Sequence, residues 1–175
     1  PLAADALTRG PNTIDGPAAG TWTIIRAKSA GTAPGFTVRD EAGNIWFLSM
    51  DARGYPVAAT AAIGVATRLF WALGYHVPES YLTTVRPENV AIGDSVTVRS
   101  HGRRRRFTAA DLRDVFARAH RSADGTYRVM AQSAIPGRVI GGFKYVGTRP
   151  DDPNDIVPHE HRRELRDLQV FGAWT

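Results

Sequence analysis

Residues 21–79, TWTIIRAKSAGTAPGFTVRDEAGNIWFLSMDARGYPVAATAAIGVATRLFWALGYHVPE, set the tightest limit on what this chain can fold into. Trp22, Ile24 and Arg26 alternate in face with Thr23 and Ile25, the period of a half-buried strand. The loop at 27–35 leads to a second strand at 36–39. That strand pairs as a hairpin with 45–50 across Asp40-Glu41-Ala42-Gly43, where Gly43 suits a left-handed turn position. Between 59 and 73, Ala62, Val65, Ala66, Leu69, Phe70 and Leu73 recur at helical spacing, and Gly74 follows as the C′ residue. Gly64 inside that helix costs about 1 kcal/mol relative to Ala, which predicts a close neighbour. Three strands and a helix in this order describe a small α+β lobe.

The rest of the chain extends that lobe. Residues 1–20 contain Pro11, Gly16, Pro17 and Gly20 without a sustained period and read as an extended arm. Strands are expected at 81–85, 95–99 and 127–133, the last entered through the Asp124-Gly125 turn. Thr108 caps a second helix with Asp111 as the capping-box partner, and Phe107 and Leu112 occupy the staple positions. Leu112, Val115, Phe116 and Ala119 form its apolar face. An acidic, Pro-rich loop at 148–158 follows, and Pro158 fits the first turn of a third helix carrying Leu165, Leu168, Phe171 and Ala173.

Composition removes several classes. Hydrophobic residues make up 43% of the 175, enough for a packed core. No apolar run approaches the ~18 residues of a membrane span, and no signal peptide is visible. The absence of an initiator Met points to a fragment or a processed chain, so the compartment stays open between cytoplasmic and exported. With no Cys, disulfides, thiolate metal sites and Cys nucleophiles are excluded. The net charge is +5, and Lys28 and Lys144 are the only lysines among 22 basic residues. The run Arg103 to Arg106 lacks interleaved aromatic platforms, which favours a solvated loop over a nucleic-acid site.

Three other constellations bear on chemistry. The loop AKSAGTAPG at 27–35 joins two strands, and its glycines let backbone N–H groups approach phosphate oxygens. It is neither a Walker A loop nor a strict G-x-G-x-x-G. Asp151, Asp152, Asp155, His159 and His161 lie close in sequence, but lack the H-E-x-x-H spacing that brings two imidazoles together. They read as structural, with Asp155 or Asp152 tethering Arg162 and Arg163. No Ser/His/Asp arrangement stands out.

The third strand WFLSMD, the helix ATAAIGVATRLFWALGY and the following HVPESY resemble an uncharacterised bacterial family with an atypical protein-kinase-like fold, of the HipA-like and phosphoinositide-kinase-like kind. That family's pattern is YF-[IL]-K-F-D-x-x-x-[YN]-P-E-x-A-x-x-A-E-V-I, then a helix ending LGY-[HN]-VPE. RGPNTIDGPAAGTW at 9–22 and the highly specific GTRPDDPNDIVPHEHRRELR at 147–166 extend the likeness over nearly the whole chain.

The resemblance implies an α+β kinase-like small lobe with a twisted, mostly antiparallel sheet and a packed helix, plus a hinge and a truncated first large-lobe helix. The arm would be 1–20, the lobe and hinge 21–146, and the acidic loop and start of the large lobe 147–175. In kinases a third-strand Lys holds phosphates and pairs with a Glu of the next helix. Here the matching positions are Ser49 and Ile63, a joint loss that avoids stranding one buried charge. Lys28 is the candidate displaced cation. The implied nucleotide site comprises Lys28, Ser29, Gly31, Thr32, Gly35, Ser49 and Gln132, with adenine at the hinge-side edge strand, 130–135. ATP and Mg²⁺ are the implied cofactors, and the remainder of the large lobe beyond Thr175 is the implied partner. An N-H-x-D-x-x-x-x-N segment should follow the last helix and does not occur before Thr175. The expected object is therefore a degenerate nucleotide-binding lobe or a non-catalytic scaffold, with an Arg-rich nucleic-acid-binding domain as the second alternative and no catalytic residue assigned.

Overall fold

A computed structural model describes residues 2–28, 31–100, 102–137 and 144–174. They form two compact units, Pro1–Ile135 and Pro136–Thr175. The expected lobe boundary at 146 thus falls inside the second unit.

The first unit is α+β. It contains α1 (Ala4–Arg9), β1 (Trp22–Ala27), β2 (Gly35–Arg39), β3 (Ile45–Met50), α2 (Ala58–Ala72), β4 (Ser80–Val85), β5 (Val90–Ile92), β6 (Thr97–Ser100), β7 (Arg103–Arg106), α3 (Ala109–Arg118) and β8 (Tyr127–Ser133). Six strands make one sheet in the order β4-β8-β3-β2-β1-β5, and β6 and β7 form a separate two-stranded ribbon. Every pair is antiparallel except β1 with β5. The β2–β3 turn closes through the Gly43 N–H donating to Asp40 O at 3.0 Å.

The sheet separates two layers. Ile24, Phe36, Val38, Trp46, Leu48, Met50, Val129 and Ala131 share one buried cluster with Val96, Phe107, Val115 and Phe116. Phe116 of α3 meets Phe36 edge-on at 5.9 Å between ring centroids. The Thr108–Asp111 capping box forms as expected, so local chemistry starts α3 where the core needs it.

On the other face lies α2, and it meets the sheet differently from expectation. A Cβ on Gly64 would sit 3.2 Å from Met130 Cε, and Thr67 Oγ1 lies 3.3 Å from Ser80 Oγ. Thr60, Gly64 and Thr67 are thus the inward stripe, while Val65 and Leu73 of the expected stripe are 56% and 54% exposed. The close approach explains Gly64, and hydroxyl pairing at Thr67 accompanies the apolar contact with Met130. At its C-terminus Gly74 (φ 88°) and Tyr75 donate to Trp71 O and Phe70 O, a Schellman end.

The N-terminus of α2 has no side-chain cap of its own: its N-cap, Val57, has φ 71°. Asp51, immediately after β3, supplies the acceptors instead. Its carboxylate accepts from Thr60 N at 2.8 Å and Thr60 Oγ1 at 2.9 Å, and it is 1% exposed.

The arm is less extended than expected. Residues 4–9 form α1, and Arg68 Nε of α2 donates to Thr8 O at 2.6 Å. Asn12 then pairs twice with the edge strand β4, accepting from Ser80 N and donating to Ser80 O, both at 2.9 Å. Edge strands need such cover, because their free backbone groups otherwise recruit other chains. Further on, Ala18 N, Asn44 N and Trp46 Nε1 all donate to the Asp40 carboxylate.

The second unit holds a short 3₁₀ turn, His159–His161, and α4 (Arg163–Trp174). Pro158 precedes the 3₁₀ turn, so α4 begins later than expected. The side chains of Leu168, Phe171 and Ala173 lie outside the described residues.

Candidate functional site

The β1–β2 loop and α3 enclose a cleft of about 550 Å³. Its walls include Lys28, Gly31, Pro34 and Gly35 from the loop side, and Asp111, Asp114 and Arg118 from α3. Gly35 is dictated by geometry: a Cβ there would lie 2.0 Å from Leu48 O, so the loop can return beside β3 only without a side chain.

Lys28 and Ser49 are brought together. Lys28 Nζ donates to Ser49 Oγ at 3.2 Å, across the register in which Gly35 faces Ser49. Lys28 is exposed as a whole residue, yet its ammonium is drawn inward. That burial lowers its pKa below 10.5. Its hydrogen-bond partner is a neutral hydroxyl, and no carboxylate lies within ion-pair distance among the described residues.

The other expected positions divide. Gly31 and Gly35 line the cleft, Thr32 is exposed on the loop, and Ser29 lies outside the described residues. Gln132 does not join the site: its Nε2 donates to Ser80 Oγ at 3.4 Å, toward β4. The expected hinge-side edge strand is also corrected. β8 is interior, paired with β3 on one side and β4 on the other, so its backbone groups through Ser133 are committed to the sheet. None of residues 130–135 lines the cleft beside the loop.

The α3 wall was not expected. Asp111, Asp114, Val115 and Arg118 recur at i, i+3, i+4 and i+7, so their common face was readable in the sequence. Asp111 is fully engaged. Arg105 grips both its oxygens at 2.6 and 2.7 Å, and Thr108 donates from N and Oγ1. The Arg105 hydrogen bonds, with smaller help from Thr108, outweigh desolvation and hold its carboxyl far below the usual range. The remaining charges on the cleft are Lys28, Arg118 and Asp114.

The acidic segment is structural. Asp155 accepts from Arg149 N at 2.6 Å, from Arg162, and meets His159 Nε2 at 2.7 Å. Asp155 is thus the tether of Arg162, and buried His159 also faces Lys144 O through Nδ1. Asp151 pairs with Arg149 at 2.6 Å. Among the described residues no group of three or more His, Asp or Glu is placed to hold a metal ion, and no helix is long and apolar enough to cross a membrane.

No protein-family model, curated protein or solved structure matches this chain.

Proposed function

We propose that the first unit is the nucleotide-holding small lobe of an atypical kinase-like domain that has given up phosphoryl transfer. The observation that carries this is the Lys28–Ser49 hydrogen bond. Ser49 stands where the family resemblance implies a third-strand lysine, and Lys28 delivers an ammonium to that hydroxyl from the neighbouring strand. A partly desolvated cation bonded only to a neutral group gains most from an anion, and Gly31 and Gly35 allow backbone N–H groups to approach one.

The fit to ATP is partial. Phosphate oxygens suit Lys28 and the glycine loop. The Mg²⁺ half of the ligand does not fit, because Asp111 is locked by Arg105 and Thr108 and, among the described residues, no donor cluster accompanies it. Of the carboxylates on the cleft, Asp111 is held ionised by Arg105 and Thr108, which leaves Asp114 as the acid facing the site. The role proposed here is nucleotide binding.

Thermal unfolding with ATP tests this. At 100 times its Kd a ligand stabilises by about 2.7 kcal/mol, roughly 5–10 °C for a domain of this size. The shift should not require Mg²⁺, should vanish in Lys28→Ala, and should weaken as pH rises toward Lys28's lowered pKa. No shift at millimolar nucleotide would refute nucleotide binding and leave the scaffold reading, which the uncharged Ser49 and Ile63 positions favour.

A further inference from the structure

Next to the nucleotide cleft, the end of β1 and the β6–β7 ribbon bound a second groove, of about 730 Å³. Among the described residues its charged lining is Arg26, Lys28, Arg99 and Arg104, with no Asp or Glu. The four-arginine run is therefore not a loop: it is strand β7, with Arg104 opposite Arg99 in the register. Strand pairing sorts these arginines by role. Arg105 is neutralised by Asp111, and Arg106 Nη2 is spent on Asp94 O at 2.8 Å. Arg104 is oriented by Nε donating to Thr97 Oγ1 at 2.8 Å, a neutral anchor. Arg26, Arg99 and Arg104 have no carboxylate within ion-pair distance among the described residues.

We propose that this groove and ribbon grip the phosphodiester backbone of a duplex nucleic acid. Planar guanidinium groups match phosphate oxygens two at a time, and several around one concavity without a carboxylate partner raise the local positive potential and so attract a polyanion. A two-stranded ribbon is of a size that the major groove of a duplex admits. Among the described residues its lining has no aromatic ring on which single-stranded bases would stack. A lipid surface would call for apolar side chains at the rim, and none of the exposed large apolar residues lies between Leu82 and Ile135. The contact is to backbone, so it is sequence-independent.

The test is fluorescence anisotropy of a short labelled duplex titrated with the protein at several salt concentrations. With about four phosphates neutralised, log K should fall with log salt at a slope near −4, so affinity drops ~10²-fold between about 50 and 200 mM. Arg99→Ala/Arg104→Ala should make the slope shallower by about 2, as should Arg99→Gln/Arg104→Gln, which keeps the aliphatic stems if the alanine pair misfolds. Arg9→Ala, remote from the groove, should leave the slope unchanged. Absence of duplex binding at low salt overturns the proposal. So does a slope that the folded double variant leaves unaltered, or tighter binding to phosphatidylserine vesicles than to the duplex. Neither Arg99 nor Arg104 lines the nucleotide cleft, so the double variant should keep its response to ATP. Loss of that response in the wild type would refute the nucleotide reading without touching this one.

Discussion

Asp51→Ala should be among the most damaging single changes in the first unit. The carboxylate holds Thr60 N and Thr60 Oγ1 at 2.8 and 2.9 Å, and is the cap that α2 lacks locally. Removing a helix cap costs about 0.5–2 kcal/mol, and leaving a buried donor unsatisfied costs about 1–3 kcal/mol. Arg128 Nε adds to this: it lies 4.0 Å from Asp51, is buried, and has no hydrogen-bond partner among the described residues. Taking away its counter-charge is unfavourable, though Arg128 is one-third exposed, which discounts that part. These effects share one carboxylate and do not add in full, so the expected loss is about 3 kcal/mol, equivalent to a fall in Tm of roughly 6–12 °C. Urea unfolding followed by Trp fluorescence measures it, with Asp51→Asn and Thr60→Val completing the comparison. Asn keeps one acceptor and should lose about half as much; Thr60→Val should lose about 1 kcal/mol, because only the hydroxyl bond disappears. After Asp51→Ala, the Thr60 amide should also exchange with solvent faster than the centre of α2. A loss below about 0.5 kcal/mol for Asp51→Ala would refute the idea that β3 caps α2.

Gly35→Ala should fail for steric reasons alone, since the new methyl would meet Leu48 O at 2.0 Å. The β1–β2 loop must shift, so both stability and the ATP-induced thermal shift should drop; a variant with wild-type values for both would contradict the placement of Gly35 against β3. Acid should act through Asp40. Burial alone would raise its pKa, but hydrogen bonds from Ala18, Trp46 and Asn44 outweigh that and leave it below 3.8. Its folded value is depressed, so its contribution is complete above about pH 4 and is lost as pH falls through the folded value. Asp40→Asn should flatten the pH dependence of stability below pH 4, and an unchanged acid limb would exclude this group.

What the sequence made legible was what short-range chemistry controls. The hairpin at Gly43, the Thr108 capping box and the Schellman end at Gly74 each depend on residues within a few positions. The Gly64 contact was also foreseeable, since a glycine inside a helix needs a reason. The inward face of α2 was not. Val65 and Leu73 carry the stronger hydrophobic signal, yet the helix docks by Thr60 and Thr67, because Asp51 and Ser80 offer them buried polar partners. The interior position of β8 was equally hidden, because nothing local reveals that the last strand inserts between β3 and β4. In the site, Lys28 and Ser49 are 21 residues apart and adjacent only through the β1–β2–β3 register. Gln132 shows the converse: it lies on a strand beside β3 and still turns toward Ser80.

The Asn12–Ser80 pairing also dictates a timetable for folding. Asn12 is synthesised 68 residues ahead of its partner. At about 5–20 residues per second the arm waits roughly 3–14 s for β4 to exist. Even then β4 has no neighbour, because β8, which must lie between it and β3, is the last strand of the sheet to be synthesised. Until β8 arrives, β3 and β4 each present an unpaired edge. The nascent chain is therefore most prone to aggregate late in the synthesis of this unit, and a pause placed before residue 127 should lower the yield of soluble protein more than one placed after 135.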